Sequence, residues 1–375
     1  YIFVILVIAG CSIDKERKDD KNDNIQPPPN SEPTDSEMIY SENNLKKIIK
    51  EMSIEEKVGQ LFIVRCPVED QVGSIVNYHL GGYIFFSRDF KGKTKQKLIE
   101  EIQSYQSASE IKMLIAVDEE GGEVNRLSLY KAFRAAPFWS AQDLYRKGGL
   151  ELITDDTIDK AKLLKSLGIN VNMAPVCDVS ENPKDYIYKR TFGKNAEETS
   201  RYVEAVVKAM FNEKLGSVLK HFPGYGNNED THTGIAYDKR SYDTFVNNDF
   251  KPFEAGIKAG ADAILVAHNI VEAIDDQYPA SLSAKVHSLL RDELNYDGVI
   301  MTDDLVMAAI KDYVGVNEAA VAAILAGNDL LCCTDFQVQI PEVVKAVKNG
   351  IISEEQIDAS VLRILKWKAT IGILQ

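Results

Sequence analysis

SVLKHFPGYGNNEDTHTG, residues 217–234, joins a short apolar run to a glycine-rich turn loaded with ionisable side chains. Ser217-Val218-Leu219, bounded by Gly216, reads as a buried strand, since a brief apolar run closed by turn residues can hide both its faces. Pro223 and the glycines at 224, 226 and 234 predict that a loop follows, not a helix. Lys220 and His221 stand where strand is expected to give way to loop. Asp230 and His232 lie two apart, so a carboxylate can orient and charge an imidazole within one turn of chain. That is how a protein builds a general acid near neutral pH.

The same unit, an apolar run ending in polar residues, recurs along the chain. Eight runs are visible, at 60–65, 82–86, 113–117, 171–176, 217–219, 263–267, 298–301 and 329–332. Amphipathic stretches separate them. The first, with helical periodicity over 44–52, is followed by a fresh helix start at Ser53, with Glu56 placed for a capping box. Strands alternating with helix-length connections imply parallel β/α units. Eight such units predict a single closed (β/α)8 barrel of the TIM type, an α/β fold. An open doubly wound sheet fits less well, because no dinucleotide fingerprint marks a switch point. After Ser353 the apolar residues Ile357, Val361, Leu362, Ile364 and Leu365 recur at helical spacing and are expected to pack on the barrel.

Composition narrows the class. The chain has 375 residues, 45% hydrophobic, with net charge −14 from 57 acidic and 43 basic side chains. An acidic surface argues against a nucleic-acid partner. YIFVILVIAGC, residues 1–11, is too short to span a bilayer and reads as a signal-peptide remnant. Ile8-Ala9-Gly10-Cys11 resembles a bacterial lipobox, which makes Cys11 the expected lipid-bearing residue and the membrane an expected partner. Residues 12–42 are rich in Asp, Lys, Asn, Pro and Ser and read as a disordered, flexible tether, leaving 43–375 as the barrel domain. The expected location is extracytoplasmic, on a lipid anchor. Cys66, Cys177, Cys332 and Cys333 lie in or beside apolar runs and read as free buried thiols. Zinc-spaced cysteine pairs and a phosphate-binding glycine loop are absent, so neither metal nor cofactor is expected.

Charged residues collect where the runs end, which in a barrel is the face that carries chemistry. Asp118-Glu119-Glu120-Gly121-Gly122 and then Arg126 follow the third run. Asp178, with Arg190 further on, follows the fourth. Lys220-His221, His268-Asn269, Asp303-Asp304 and Thr334-Asp335 follow the remaining four. So many converging charges exceed what packing alone explains, because burying charge without a purpose is costly.

KHFPGYGNNEDTHTG closely resembles the signature of the β-N-acetylglucosaminidases of glycoside hydrolase family 3, Lys-His-Phe-Pro-Gly-His-Gly followed by Asp-Ser/Thr-His. Tyr225 stands where that family commonly has a second histidine. IAVDEEGG at 115–122 with Arg126 resembles the family's Asp-x-Glu-Gly-Gly-x-x-x-Arg segment, although Glu123 replaces a frequent arginine. NMAPVCD at 172–178, KRTFG at 189–193, PASLS at 279–283 and DGVIMTDDL at 297–305 are similar to further family segments. The resemblance implies that Asp118, Arg126, Arg190, Lys220 and His221 bind the sugar in the −1 subsite. It implies that Asp303 is the nucleophile and His232 the acid/base, oriented by Asp230. Asp304 is expected to hydrogen-bond structurally. His268 either lines the site or caps its strand, while His79 and His287 read as structural. The loop bearing His232 is expected to close over the sugar.

The implied activity is a retaining exo-β-N-acetylglucosaminidase acting on terminal GlcNAc of muropeptides or other β-GlcNAc-terminated saccharides. A family 3 β-glucosidase is the nearest rival; those relatives usually lack the Asp-Ser/Thr-His loop and take their acid from a second domain. A β-GlcNAc phosphorylase is another, because a histidine acid does not repel incoming phosphate. A non-catalytic sugar-binding lipoprotein would share the same N-terminal plan.

Overall fold

Each of the eight apolar runs forms a strand of one parallel sheet. The computed structural model describes residues 41–228, 235–314 and 318–374. The signal remnant with Cys11, the tether as far as residue 40 and the Asp230–His232 pair lie outside the described residues. In chain order the strands are β1 Phe62–Arg65, β2 Gly82–Phe85, β3 Leu114–Val117, β4 Val171–Asn172, β5 Gly216–Phe222, β6 Tyr237–Asp238, β7 Ala263–Val266, β8 Ile270–Val271, β9 Val299–Thr302 and β10 Leu331–Cys333. Strands β6 and β8 pair only with each other. The other eight run in the order β10-β1-β2-β3-β4-β5-β7-β9.

The ends of that order meet. Met301 bridges Leu330, the Thr302 N–H donates to the Leu330 carbonyl at 3.1 Å, and the Leu305 N–H donates to Cys332 at 3.1 Å. β9 and β10 therefore close the eight-stranded sheet into the expected barrel, so that each of these eight strands is paired on both sides. Strands β1, β2, β3, β7 and β9 are four residues each and almost wholly buried, which explains why they read as continuous apolar runs.

Helices coat the outside. Ser53 caps Ile54–Gln60 in a complete capping box with Glu56, as the sequence predicts. Helix Glu42–Glu51 begins at the last residue assigned above to the tether. The helix Glu354–Thr370 buries Ile357, Val361, Ile364 and Leu365, each worth about 1.5–3 kcal/mol when fully removed from water; Leu362 is only partly buried. The four cysteines are free and buried.

Two strand boundaries differ from the expectation. β4 spans only two residues, because Pro175 has no N–H to extend the ladder; pairing resumes at the Val176–Lys220 bridge. β5 continues through Lys220 and His221 to Phe222, so this pair lies within a strand and not beyond its end. The backbone keeps its partners there: the Cys177 N–H donates to Lys220 at 2.6 Å, and the Ala267 N–H donates to Phe222 at 2.9 Å. A lysine is tolerated in the barrel because of what it meets at this level, described below.

Gly121 turns the chain at the end of β3 with φ 103°, and a Cβ there would lie 2.2 Å from the Trp139 carbonyl oxygen. Gly92, also at positive φ (75°), faces open space. Gly92→Ala is expected to cost about 1–2 kcal/mol, the ordinary left-handed penalty. Gly121→Ala should cost clearly more, since backbone must also shift; urea unfolding of the two variants side by side measures the difference.

Candidate active site

The loop after β3 is folded by a buried carboxylate. Glu119 accepts backbone N–H bonds from Arg126 at 3.0 Å, Leu127 at 2.8 Å and Ser128 at 3.2 Å. This draws residues 121–128 back over the barrel mouth and delivers the Arg126 side chain to it. Asn172, at the end of β4, accepts the Glu119 N–H at 3.0 Å and ties the two strand ends together.

Asp118 and Glu120, on either side of Glu119, face the barrel axis. Between them sits the Lys220 ammonium, 2.7 Å from Asp118 and 2.6 Å from Glu120, with only 2% of the residue exposed. Arg190 reaches Glu120 with two N–H donors, at 3.1 and 2.7 Å. Burial alone would raise the Glu120 pKa, but Lys220 and Arg190 outweigh it and hold the carboxyl well below its usual range. Burial likewise works against charged Lys220, and Asp118 and Glu120 reverse this, raising its pKa. Glu120, Lys220 and Arg190 are therefore ionised together, each satisfied by its neighbours in the cluster.

His221 joins the same cluster. A register shift between Lys220 and Phe222 leaves His221 as a bulged residue against β7. Successive residues of a regular strand point to opposite faces; the bulge lets Lys220 and His221 both face the mouth. Buried Asp178 lies 2.7 Å from His221 Nδ1 and also accepts the N–H groups of His221 at 3.2 Å and Tyr225 at 2.6 Å. His221 Nε2 lies 3.2 Å from an Arg190 nitrogen. The Tyr225 ring, standing in the turn after β5, packs edge-on to His221 with centroids 5.8 Å apart.

The two aspartates after β9 are held differently. Asp304 accepts the Thr334 N–H at 3.1 Å, the Thr334 hydroxyl at 2.5 Å and the Val306 N–H at 3.1 Å, binding the end of β9 to that of β10. Asp303 donates its own N–H to Val266 on β7, and its carboxylate accepts the Asp304 N–H at 2.8 Å. That bond fixes the carboxylate's rotamer.

Asp118, Arg126, Arg190, Lys220, His221 and Asp303 all line one cavity of about 520 Å³ at the C-terminal mouth of the barrel. That is room for a sugar ring. The structure thus brings together six of the eight predicted site residues; the other two, Asp230 and His232, lie outside the described residues. His268 is not among the lining side chains: it is buried, 2.8 Å from the Ser281 hydroxyl and 3.2 Å from the Asp304 carbonyl, which links the segment after β7 to that after β9. His287 is a core residue whose Nδ1 meets the Ser283 carbonyl at 2.7 Å.

Arg65, Phe86 and Tyr186 also line the cavity and were not singled out from the sequence. Arg65 carried a usable signal, because it closes an apolar run in the same way as the charged residues that were noticed. The central role of Glu120 was hidden for another reason: its partners lie 70 and 100 residues away along the chain.

Residues 53–367 match the family model described as the glycosyl hydrolase family 3 N-terminal domain. The chain is 32% identical to β-hexosaminidase A of Pseudoalteromonas piscicida over 322 residues, covering 78% of this chain but only 54% of that protein. It is 29% identical to β-hexosaminidase LpqI of Mycobacterium tuberculosis, covering 84% and 83% of the two chains. Among solved structures, a family 3 β-N-acetylglucosaminidase from Paenibacillus sp. superposes with a TM-score of 0.80 at 31% identity, covering 86% of this chain and 63% of that one. The chain therefore spans about half of the first of these relatives and under two thirds of the Paenibacillus enzyme.

The charge cluster makes a pH-dependent prediction. The folded-state pKa of Glu120 lies below its ordinary 4.5, so its stabilisation is fully present above that value and is lost as the pH falls toward the folded value. Glu120→Gln should cost about 3–5 kcal/mol at neutral pH, the typical penalty for breaking a buried pair. Urea unfolding across a pH series should show the gap between wild type and variant narrowing below about pH 4.5.

Proposed function

Because this chain belongs to glycosyl hydrolase family 3, we propose that it is a retaining exo-β-N-acetylglucosaminidase removing terminal GlcNAc from muropeptides or related β-GlcNAc glycosides. One observation carries the reading: a rigid carboxylate, Asp303, shares a sugar-sized cavity with a set of fixed hydrogen-bonding groups supplied by β3 to β5 and the loops that follow them. β9, which carries Asp303, and β3, which carries Asp118, are four strands apart in either direction. A pyranose between them would present its anomeric carbon to Asp303 and its hydroxyls to Asp118, Arg126, Arg190, Lys220 and His221.

In this reading Asp303 attacks the anomeric carbon as the bond to the aglycone oxygen breaks. The His232 imidazolium gives that oxygen its proton. Neutral His232 then takes a proton from water, the water oxygen bonds to the anomeric carbon, and Asp303 departs as carboxylate. Asp230 holds the imidazole tautomer and favours its charged form. The Asp-Thr-His sequence of that pair and the named activities of the relatives support the assignment. The ion pairs fix the Lys220 and Arg190 side chains, and a polar wall held in place in this way suits the binding of hydroxyls.

The lipobox at Ile8–Cys11 and the polar stretch after it support an enzyme tethered by lipid at Cys11 to the outer face of a bacterial membrane, where cell-wall fragments are at hand. Metabolic palmitate labelling of the full chain, lost in Cys11→Ser, tests this; an unlabelled wild type would refute it.

Asp303→Asn and His232→Ala are each expected to lower release of aryl-β-GlcNAc by at least about a thousandfold while circular dichroism stays native. Undiminished turnover in Asp303→Asn would refute the nucleophile. The first-formed sugar should be the β anomer by NMR, and aryl-β-GlcNAc should be strongly preferred to aryl-β-Glc.

A further inference from the structure

A second ion cluster lies beneath the turn that follows β5, with Arg240 at its centre. The Arg240 Nε donates to both oxygens of Asp238 at 3.0 Å, and one terminal nitrogen donates to both oxygens of Asp249 at 2.9 and 3.1 Å. The other terminal nitrogen donates to Asp238 at 2.7 Å and to the Gly224 carbonyl at 3.1 Å. The guanidinium carbon lies 4.5 Å from the centroid of the Phe245 ring. Gly226 packs so closely that a Cβ there would lie 2.3 Å from the same carbon. Asp238 and Asp249 are each 1% exposed. Burial works against the cation, and the two aspartates reverse this, raising the Arg240 pKa.

These contacts join the two stems of one loop. Gly224 and Gly226 lie on the outgoing stem, just after β5, while Asp238 of β6 and Arg240 lie on the returning one. Asn228 adds a direct tie, donating to Asp238 at 2.8 Å. Phe245 and Asp249 belong to the π-helical turn Phe245–Asp249. Phe250, next to that turn, stacks on Phe222 of β5 with centroids 5.5 Å apart, which anchors the clamp to the barrel wall. Between the two tied stems the sequence carries Asp230 and His232, which lie outside the described residues.

Arg240, Asp238 and Asp249 are not among the side chains that line the sugar-sized cavity. Buried ions add little net stability, because desolvation consumes much of their attraction. What they supply here is geometry: the forked donors of one arginine reach three acceptors on three chain segments at once. We infer that Arg240 is a positioning residue for the reaction: by clamping both stems it sets where the Asp230–His232 pair meets the bond to the aglycone. The inference rests on the glycosidase reading above, and Arg240 takes no part in making or breaking bonds. Proton transfer needs the acid within hydrogen-bond reach of the departing oxygen, so a shift of about 1 Å at the base of the loop falls chiefly on that transfer. Attack by Asp303, which is held at the end of β9, is left as it was.

Leaving groups of different acidity separate the proton transfer from the rest of the reaction. The 2,4-dinitrophenolate ion departs without a proton, whereas phenolate needs one. Values of kcat/KM, which cover the steps through aglycone release, are to be measured for phenyl and 2,4-dinitrophenyl β-GlcNAc with the full chain, Arg240→Met and Arg240→Lys. The phenyl-to-dinitrophenyl ratio should fall about tenfold or more in Arg240→Met and by a smaller factor in Arg240→Lys. His232→Ala, which removes the acid itself, marks the largest fall. Equal losses on both substrates, with the ratio unchanged, would overturn the inference, since Arg240 would then support the fold alone. Should Arg240→Met fail to fold by circular dichroism, the same ratio in Arg240→Lys decides. A wild type that cleaves neither substrate sinks the glycosidase reading and this inference with it; an active wild type whose ratio the variants leave unmoved sinks the inference alone.

Discussion

A lysine ammonium set between two carboxylates inside a β-barrel governs the architecture of the site. Lys220 is on β5, while Asp118 and Glu120 follow β3, and β4 separates them. None of the three could be buried alone, since an isolated charge in a low-dielectric interior either neutralises or unfolds its surroundings. Together with Arg190 they form a compact set of alternating charges in which every member is satisfied by another. The cluster requires three consecutive strands to hold their register, so the fold and the polar wall of the cavity stand or fall together.

Local devices serve that arrangement. The bulge at His221 turns two neighbouring side chains toward one cavity, which a regular strand forbids. Glu119 spends its carboxylate on three backbone N–H groups and thereby shapes the loop that presents Arg126. Below the turn after β5, Arg240 bonds Asp238, Asp249 and the Gly224 carbonyl, and a Cβ at Gly224 would lie 2.4 Å from Asp249. The Gly224–Tyr225 turn is thus supported from beneath by an ion cluster that never reaches the cavity. Family membership and the common cavity agree with this picture: the charged strand ends act on one volume, not on several.

The fold was legible because its signal is repetitive. Eight apolar runs separated by amphipathic segments correspond to the eight barrel strands, and the cap at Ser53 and the packing helix after Ser353 fall where local pattern puts them. Errors arose where a residue's local character misled. Lys220 looked like the end of a strand because a lysine in a buried strand is implausible in isolation; its neutralising partners are about a hundred residues away. Arg65 lay unremarked at the end of its apolar run, since nothing in its neighbourhood along the chain tells that its side chain lines the cavity.

The linear order of residues by itself determined the number of strands, their parallel alternation with helices, and the placing of charge where each strand ends, because all three follow from hydrophobic period and turn chemistry within short windows. Only the closed barrel decided which charges cancel. Pairing of ions depends on distances across the ring, and those are set by strand order, register and the β9–β10 closure. For that reason Asp118, Glu120, Arg190 and Lys220, spread over about a hundred residues of chain, neutralise one another at a single level of the barrel.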